Sequence, residues 1–205
     1  MPERPPEIPG LEAARASRRL GAGPVADSWL LELDEQQVVL RRDRPCAQQI
    51  GLDRQGELRA LEAACQHGLA PEPLVVTADP AIRITRFVPG VTWQEAADRG
   101  HPDIWLQLGG LLRRVHDLAP DTVPRFQPTE VFDAYAQAAG TTEARALARE
   151  LIACAVPLYR DAPWVLCHHD PHLGNVIGEP GVLIDWEYAA LGHPLFDLAF
   201  VMEYH

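Results

Sequence analysis

The stretch VLCHHDPHLGNVI, residues 165–177, places His168, Asp170, His172 and Asn175 within eight residues, directly after an apolar run. Three kinds of chemistry suit such a cluster. His168, His169 and His172 are residue types that ligate zinc or iron. They lack the HExxH spacing that sets two histidines on one helix face, and Pro171 and Gly174 mark a loop. Asp170 and Asn175 are also ordinary turn residues, whose side chains satisfy nearby backbone groups. The third chemistry is phosphoryl transfer. There an Asp orients a hydroxyl and accepts its proton, and an Asn five residues later holds magnesium.

The segment that follows favours the third reading. Protein kinases carry His-Arg-Asp with Asn five residues after the Asp, and here His168-His169-Asp170 precedes Asn175 by that interval. GVLIDWEY sets an apolar strand directly before Asp185. A carboxylate at a strand end facing a cleft is where a kinase holds its second metal ligand. NVIGEPGVLID reads as two short apolar runs joined by GEPG, a hairpin that folds Asp185 back toward Asn175.

The rest of the chain must position these groups. Its 205 residues suffice for one large domain or two small lobes sharing a cleft. Hydrophobic residues at 47% and charged residues at 23% are an ordinary globular balance. No apolar run approaches the roughly 18 residues of a membrane helix. The start, MPERPPEIPG, has charge and proline where a secretory signal has an apolar core, so a cytoplasmic protein with no membrane partner is expected. Cys46, Cys65, Cys154 and Cys167 form no CxxC pair, which predicts reduced thiols rather than a zinc site or a disulfide framework. A net charge of -11 without a basic patch argues against nucleic acid and is compatible with a cationic small substrate.

Residues 1–10 read as a loose arm, with four prolines. LEAARASRRL is expected to form a short helix. GAGPVADSWLLEL reads as a glycine turn entering a strand, and QQVVLRR as its hairpin partner, with the turn near Asp34–Glu35. LDRQGELRALEAACQHGL has helical spacing and a stop at Gly68. PLVVTAD and AIRITRFVPG read as two more strands. After Gly90 the patterns are helical: DIWLQLGGLLRRVHDLA, TEVFDAYAQAA, and TTEARALARELIACAVPLY with Thr141 or Thr142 as N-cap. The stripe Leu108, Leu111, Leu112 and Val115 is expected in the core. Strand signals return in WVLC, NVI and GVLID.

CHHDPHLGNVI, LIDWEYAALGHPLFDLA and RFVPG together resemble the aminoglycoside phosphotransferase and choline kinase superfamily. IDWEYA is most similar to its choline, ethanolamine and thiamine kinase branches. The likeness runs over residues 18–200 and is strongest in 164–199. It implies an α+β, protein-kinase-like bilobal fold, with a small antiparallel-sheet N-lobe and a mainly helical C-lobe. The expected divisions are an arm at 1–17, an N-lobe at 18–88, and a C-lobe at 89–205 that lacks the further C-terminal helices usual in relatives. An apolar surface left bare by such a lack would favour dimerisation or instability, so monomer and homodimer both stay open.

The resemblance also implies roles. Asp170 is the catalytic base, and Asn175 and Asp185 are the magnesium ligands. ATP is the phosphoryl donor. His168 braces the loop, His172 lies within it, and Asp197 hydrogen-bonds it from outside. VVLRR is the strand bearing the phosphate-binding cation. Arg41 is the choice and Arg42 the alternate, since neighbouring strand residues face opposite ways. Glu57 is the expected ion-pair partner of Arg41, with Glu62 as the alternative. Gly21 and Gly23 sit in the nucleotide-covering loop. The Arg86 carbonyl and the Val88 N–H are expected to meet the adenine. The acceptor is a small-molecule alcohol. An acidic pocket with an aromatic wall, drawn from Glu187, Tyr188 and Glu203 with Trp186 and Tyr204, would suit an amino alcohol or a thiamine-like cation. The alternatives are a sugar or aminoglycoside hydroxyl, and a catalytically idle nucleotide-binding relative.

Overall fold

A computed structural model describes residues 14–204 apart from 24, 34–35, 77–78 and 162. Residues 1–13 of the expected arm and the turn at 34–35 lie outside the described residues, while residues 15–17 of that arm belong to the first strand. The amino-terminal lobe is built from β1 (Arg15–Ala22), β2 (Ala26–Leu33), β3 (Gln36–Asp43), α1 (Pro45–Gln49), α2 (Arg54–Cys65), β4 (Pro73–Val76) and β5 (Ile82–Arg86). The five strands form one antiparallel sheet in the order β1-β2-β3-β5-β4.

β1 corrects an expectation. LEAARASRRL has the Ala, Leu, Glu and Arg content of a helix, yet Arg15–Ala22 is a strand, with Ala16 opposite Leu31 and Arg19 opposite Trp29. Local propensity is a weak prior, and a ladder offered by a neighbouring strand overrides it.

Alternation along β3 decides which arginine enters the cleft. Val38 and Leu40 are fully buried with Trp29, Leu31 and Ile84 on one face of the sheet. Val39 and Arg41 therefore face the other way, into the cleft, while Arg42 is exposed.

The helical lobe contains α3 (Trp93–Asp98), α4 (Ile104–His116), α5 (Pro128–Ala139), α6 (Thr142–Arg160), β6 (Val165–Cys167), β7 (Val176–Ile177), β8 (Val182–Leu183), β9 (Ala190–Gly192) and α7 (Leu195–Tyr204). Thr141 caps α6 by accepting from the Ala144 N–H at 3.0 Å. Leu108, Leu111, Leu112 and Val115 are buried on α4, as their spacing predicts. They share a core with Ala60, Leu61 and Ala64 of α2 and with Leu166, Leu173, Val176 and Leu183 around the hairpin. That one core spans α2 and the 166–183 segment, so the two cannot shift independently. No helix among the described residues is long and apolar enough to cross a membrane.

Residues 175–185 form the expected hairpin, with Val176 opposite Leu183 and Ile177 opposite Val182. The Trp93 ring packs on its tip and donates from Nε1 to the Gly178 carbonyl at 2.8 Å. Gly181 makes that packing possible, since a Cβ there would lie 2.3 Å from the ring.

Candidate active site

The hairpin does the first positioning. The Ile184 N–H donates to the Asn175 carbonyl at 2.8 Å, which fixes Asp185 beside the Asn175 end of the loop. The Asn175 side-chain nitrogen donates to the Asp170 carbonyl at 3.0 Å and to Asp170 Oδ2 at 3.1 Å. Asp170, Asn175 and Asp185 are thus gathered at one place. The amide nitrogen of Asn175 is spent on Asp170, which leaves its amide oxygen as a hard donor. With the Asp185 carboxylate it makes an oxygen-only pair of the kind magnesium accepts.

Asp197 does the second positioning. It is fully buried at the first turn of α7. Its carboxylate accepts from the backbone N–H of His168 at 3.0 Å, the N–H of His169 at 2.7 Å and His116 Nε2 at 2.8 Å. Burial pushes this carboxyl up, but the hydrogen bond from His116 and the neighbouring histidines outweigh it and hold the group below its ordinary value. The loop it grips is strained. His169 has φ +65° and Asp185 φ +66°, in a region that costs a non-glycine residue on the order of 1–3 kcal/mol. Such conformations persist only where surrounding bonds over-determine them.

The histidines do not converge on a metal. His168 Nε2 bonds the Ile184 carbonyl and His169 Nδ1 the Tyr188 carbonyl, both at 2.9 Å. Burial drives both rings toward the neutral form. His172 Nδ1 accepts from the Gly174 N–H at 3.1 Å. These rings brace three different backbone segments, so the zinc or iron reading is set aside.

Two cavities border these segments, one at Asp185 and one at Asp170. One, of about 330 Å³, is lined by Gly21, Gly23, Val39, Arg41, Val88 and Asp185 among others. Arg86 and Glu57 also border it, so every residue expected to touch nucleotide lies around one hollow. The other, of about 550 Å³, is lined by Asp170, Phe126, Tyr135, Tyr188 and Phe196, with Asp53 and Glu130 toward its rim. Glu187 borders both cavities.

Asp170 therefore borders the aromatic hollow, while Asp185 borders the cation-lined one. Burial pushes the Asp170 carboxyl up, the Asp185 charge adds to this, and the bond from Asn175 opposes it; the outcome is about 6. Glu187 is likewise raised by burial, against the pull of Arg41.

Three expectations need correction. Glu57 does not contact Arg41. Arg41 instead holds Asp185 and Glu187 together, while Glu57 pairs with Arg54 at 2.7 Å and Arg83 at 2.9 Å. Glu62 is exposed and takes no part, because it lies on the side of α2 turned away from the buried face of Gly56, Glu57, Ala60, Leu61 and Ala64. Glu203 is exposed near the end of α7 and does not line the second cavity, which α7 reaches among the described residues through Phe196 and Phe200. Arg54, Arg83 and His116 are additions that the motifs did not single out. Arg83 carried one signal: a cation between Ile82 and Ile84 in a strand must point away from the apolar face.

A sequence model described as the phosphotransferase enzyme family matches residues 17–205. No curated protein matches the sequence. Among solved structures, the chain resembles a choline/ethanolamine kinase family protein from Mesorhizobium loti, with 24% identity and a TM-score of 0.65 over 95% of this chain and 66% of that one. It resembles choline kinase LicA from Streptococcus pneumoniae, with 19% identity and a TM-score of 0.66 over 85% and 64%. It also resembles a thermostable mutant of aminoglycoside phosphotransferase APH(4)-Ia, solved with ADP and hygromycin B, with 16% identity and a TM-score of 0.61 over 89% and 70%. The chain spans just under two thirds of the first two proteins. At these identities the likeness establishes the bilobal, protein-kinase-like fold.

Proposed function

The chain belongs to the phosphotransferase enzyme family, and from that membership we propose that it is an ATP-dependent small-molecule kinase acting on the hydroxyl of an amino alcohol or thiamine-like cation. One observation carries this reading. Asp170 borders the aromatic cavity, Asp185 borders the cation-lined one, and Glu187 borders both, an arrangement that suits a donor and an acceptor meeting at these carboxylates.

In this reading residues 18–88 cover ATP and residues 89–205 supply the reacting groups. Asn175 and Asp185 would hold magnesium, which when bound neutralises charge on the phosphates. Arg41 grips phosphate oxygens with its fork. Gly21 and Gly23 bring backbone close to the phosphates, and the Arg86 carbonyl and Val88 N–H face the adenine. Asp170 orients the acceptor hydroxyl and takes its proton as the oxygen–phosphorus bond forms. His168, Asp197 and the loop residue His172 hold that geometry without touching the reacting atoms.

The aromatic wall of Phe126, Tyr135 and Tyr188 suits a cation with an apolar body. Glu187 supplies negative charge at its inner edge, though much of that charge is committed to Arg41 and Arg54. A sugar or aminoglycoside acceptor is the second reading, favoured by the cavity's volume of about 550 Å³.

Steady-state assays with Mg–ATP against choline, ethanolamine, thiamine, hexosamines and aminoglycosides test the proposal. Turnover of an amino alcohol or thiamine supports it, turnover only of sugars shifts it to the second reading, and turnover of none points to an idle binding module. Asp185→Ala is expected to weaken Mg–AMP-PNP binding at least tenfold, while binding of metal-free nucleotide changes little. Equal losses with and without metal would remove Asp185 from the ligand set.

The rate also carries a pH signature. Asp170 accepts a proton only when ionised, and burial places its titration at about 6. kcat/KM is therefore expected to fall as pH drops through about 6. A profile that stays flat down to pH 5 would separate the rate from this carboxylate.

A further inference from the structure

Arg41 and Arg83 stand opposite each other on β3 and β5, and both border the nucleotide-side cavity. Their partners differ. Arg41 holds Asp185 and Glu187. Arg83 Nε lies 2.9 Å from Oε1 of Glu57, an ion pair whose angle falls short of a hydrogen bond. A terminal nitrogen of Arg83 also donates to the Arg54 carbonyl at 3.2 Å. The other oxygen of Glu57 accepts from Arg54 at 2.7 Å. Arg54 in turn grips both oxygens of Asp43 at 2.6 Å. Thus α2 is tied to the sheet through Arg83 and Asp43, and Arg41 has no share in that tie.

Glu57 is only 3% exposed, so its charge needs a cation on each oxygen. Without Arg83, Oε1 of Glu57 would stand beside the cavity with no cation against it. The neighbouring cation not already locked on Asp43 is Arg41, which feels the Glu57 charge as it stands.

We propose that Arg83 is a positioning residue for nucleotide binding. By occupying Glu57 it keeps that carboxylate off Arg41, whose fork is then left to exchange Asp185 and Glu187 for nucleotide phosphates. The inference rests on the reading that this cavity takes Mg–ATP. The exchange is balanced in charge. As Asp185 turns to a metal, the guanidinium it leaves turns to phosphate. A second carboxylate competing for Arg41 would oppose that step.

Calorimetric titration of the full chain with Mg–AMP-PNP tests it. Arg83→Met is expected to weaken binding about tenfold. Arg83→Lys, which keeps the ion pair, stays within about threefold of wild type. Adding Glu57→Gln to Arg83→Met restores binding to within about threefold, because the competitor is gone. A mere packing role for Arg83 would not be rescued that way. Glu57→Gln alone is expected to tighten binding about threefold, since a negative charge leaves the cleft and Arg83 is released toward the phosphates. This single variant decides the matter if Arg83→Met does not fold: weaker binding would mean that Glu57 supports Arg41, and would overturn the inference. Wild-type affinity in Arg83→Met, or a double variant as weak as the single, overturns it too. A wild-type chain that binds no Mg–AMP-PNP sinks the proposed function and this inference together.

Discussion

Asp170→Asn is expected to lower turnover about a thousandfold while Mg–AMP-PNP affinity stays within about threefold of wild type. The asymmetry follows from where Asp170 lies. It borders the aromatic cavity and not the cation-lined one, so in the proposed reaction its loss would remove hydroxyl orientation and proton acceptance but leave the phosphate and adenine contacts in place. Asn keeps the shape and the bond to Asn175 is replaceable, so the variant isolates the charge.

The same substitution should raise stability. In the folded protein the Asp170 carboxyl holds its proton up to about 6, against 3.8 for a freely solvated aspartate. The folded state therefore binds more protons than the unfolded one between those values, and stability falls as pH rises through that window. Above pH 6 wild type carries a cost on the order of 2 kcal/mol from this ionised group, and below pH 4 it carries none. Asp170→Asn should accordingly melt higher than wild type at pH 7, with the gap closing toward pH 4. Retained turnover would reject Asp170 as the base. Equal melting at both pH values would reject the buried, repelled carboxylate on which the argument stands.

Asp197→Ala is expected to cost about 3–5 kcal/mol of folding stability, among the largest single-residue losses in the chain. Removing the carboxylate leaves the N–H groups of His168 and His169 buried without acceptors and deprives His116 of its partner. It also releases a backbone held at φ +65° on His169. For a chain of this size the loss corresponds to a fall in Tm of about 10 °C. Asp197→Asn keeps one acceptor oxygen but turns an NH2 group toward a donor, so it should fall between the two and reduce turnover more than nucleotide affinity. Denaturation curves and steady-state rates check both. A Tm shift of less than about 2 °C for Asp197→Ala would mean that water or another group satisfies those N–H donors.

What could be read from the linear order had short sequence separation. Asp170 and Asn175 are five residues apart, and the hairpin between Asn175 and Asp185 is bounded by its own turn. The core stripe on α4 repeats with the helical period, and Thr141 marks its helix start. LEAARASRRL was misleading for the opposite reason. Its composition favours a helix, and nothing within it announces that β2 will supply a ladder. α7 and β9 gave little local signal, because their form depends on the loop and strands they pack against.

The sequence by itself therefore determined the loop that joins Asp170 to Asn175 and the hairpin that ends at Asp185, since each is encoded in spacing that a short segment enforces through its own backbone, while the bilobal fold was implied by the resemblance those motifs carry. Only the tertiary structure decided which cations meet which carboxylates. Arg41 reaches Asp185 across 144 residues and Glu187 across 146, while Glu57 turns to Arg83 on another strand. Such pairings depend on which strands become neighbours and which way their side chains alternate. Charges attract any opposite charge within reach, so the choice among partners is made by packing, and packing is a property of the whole chain.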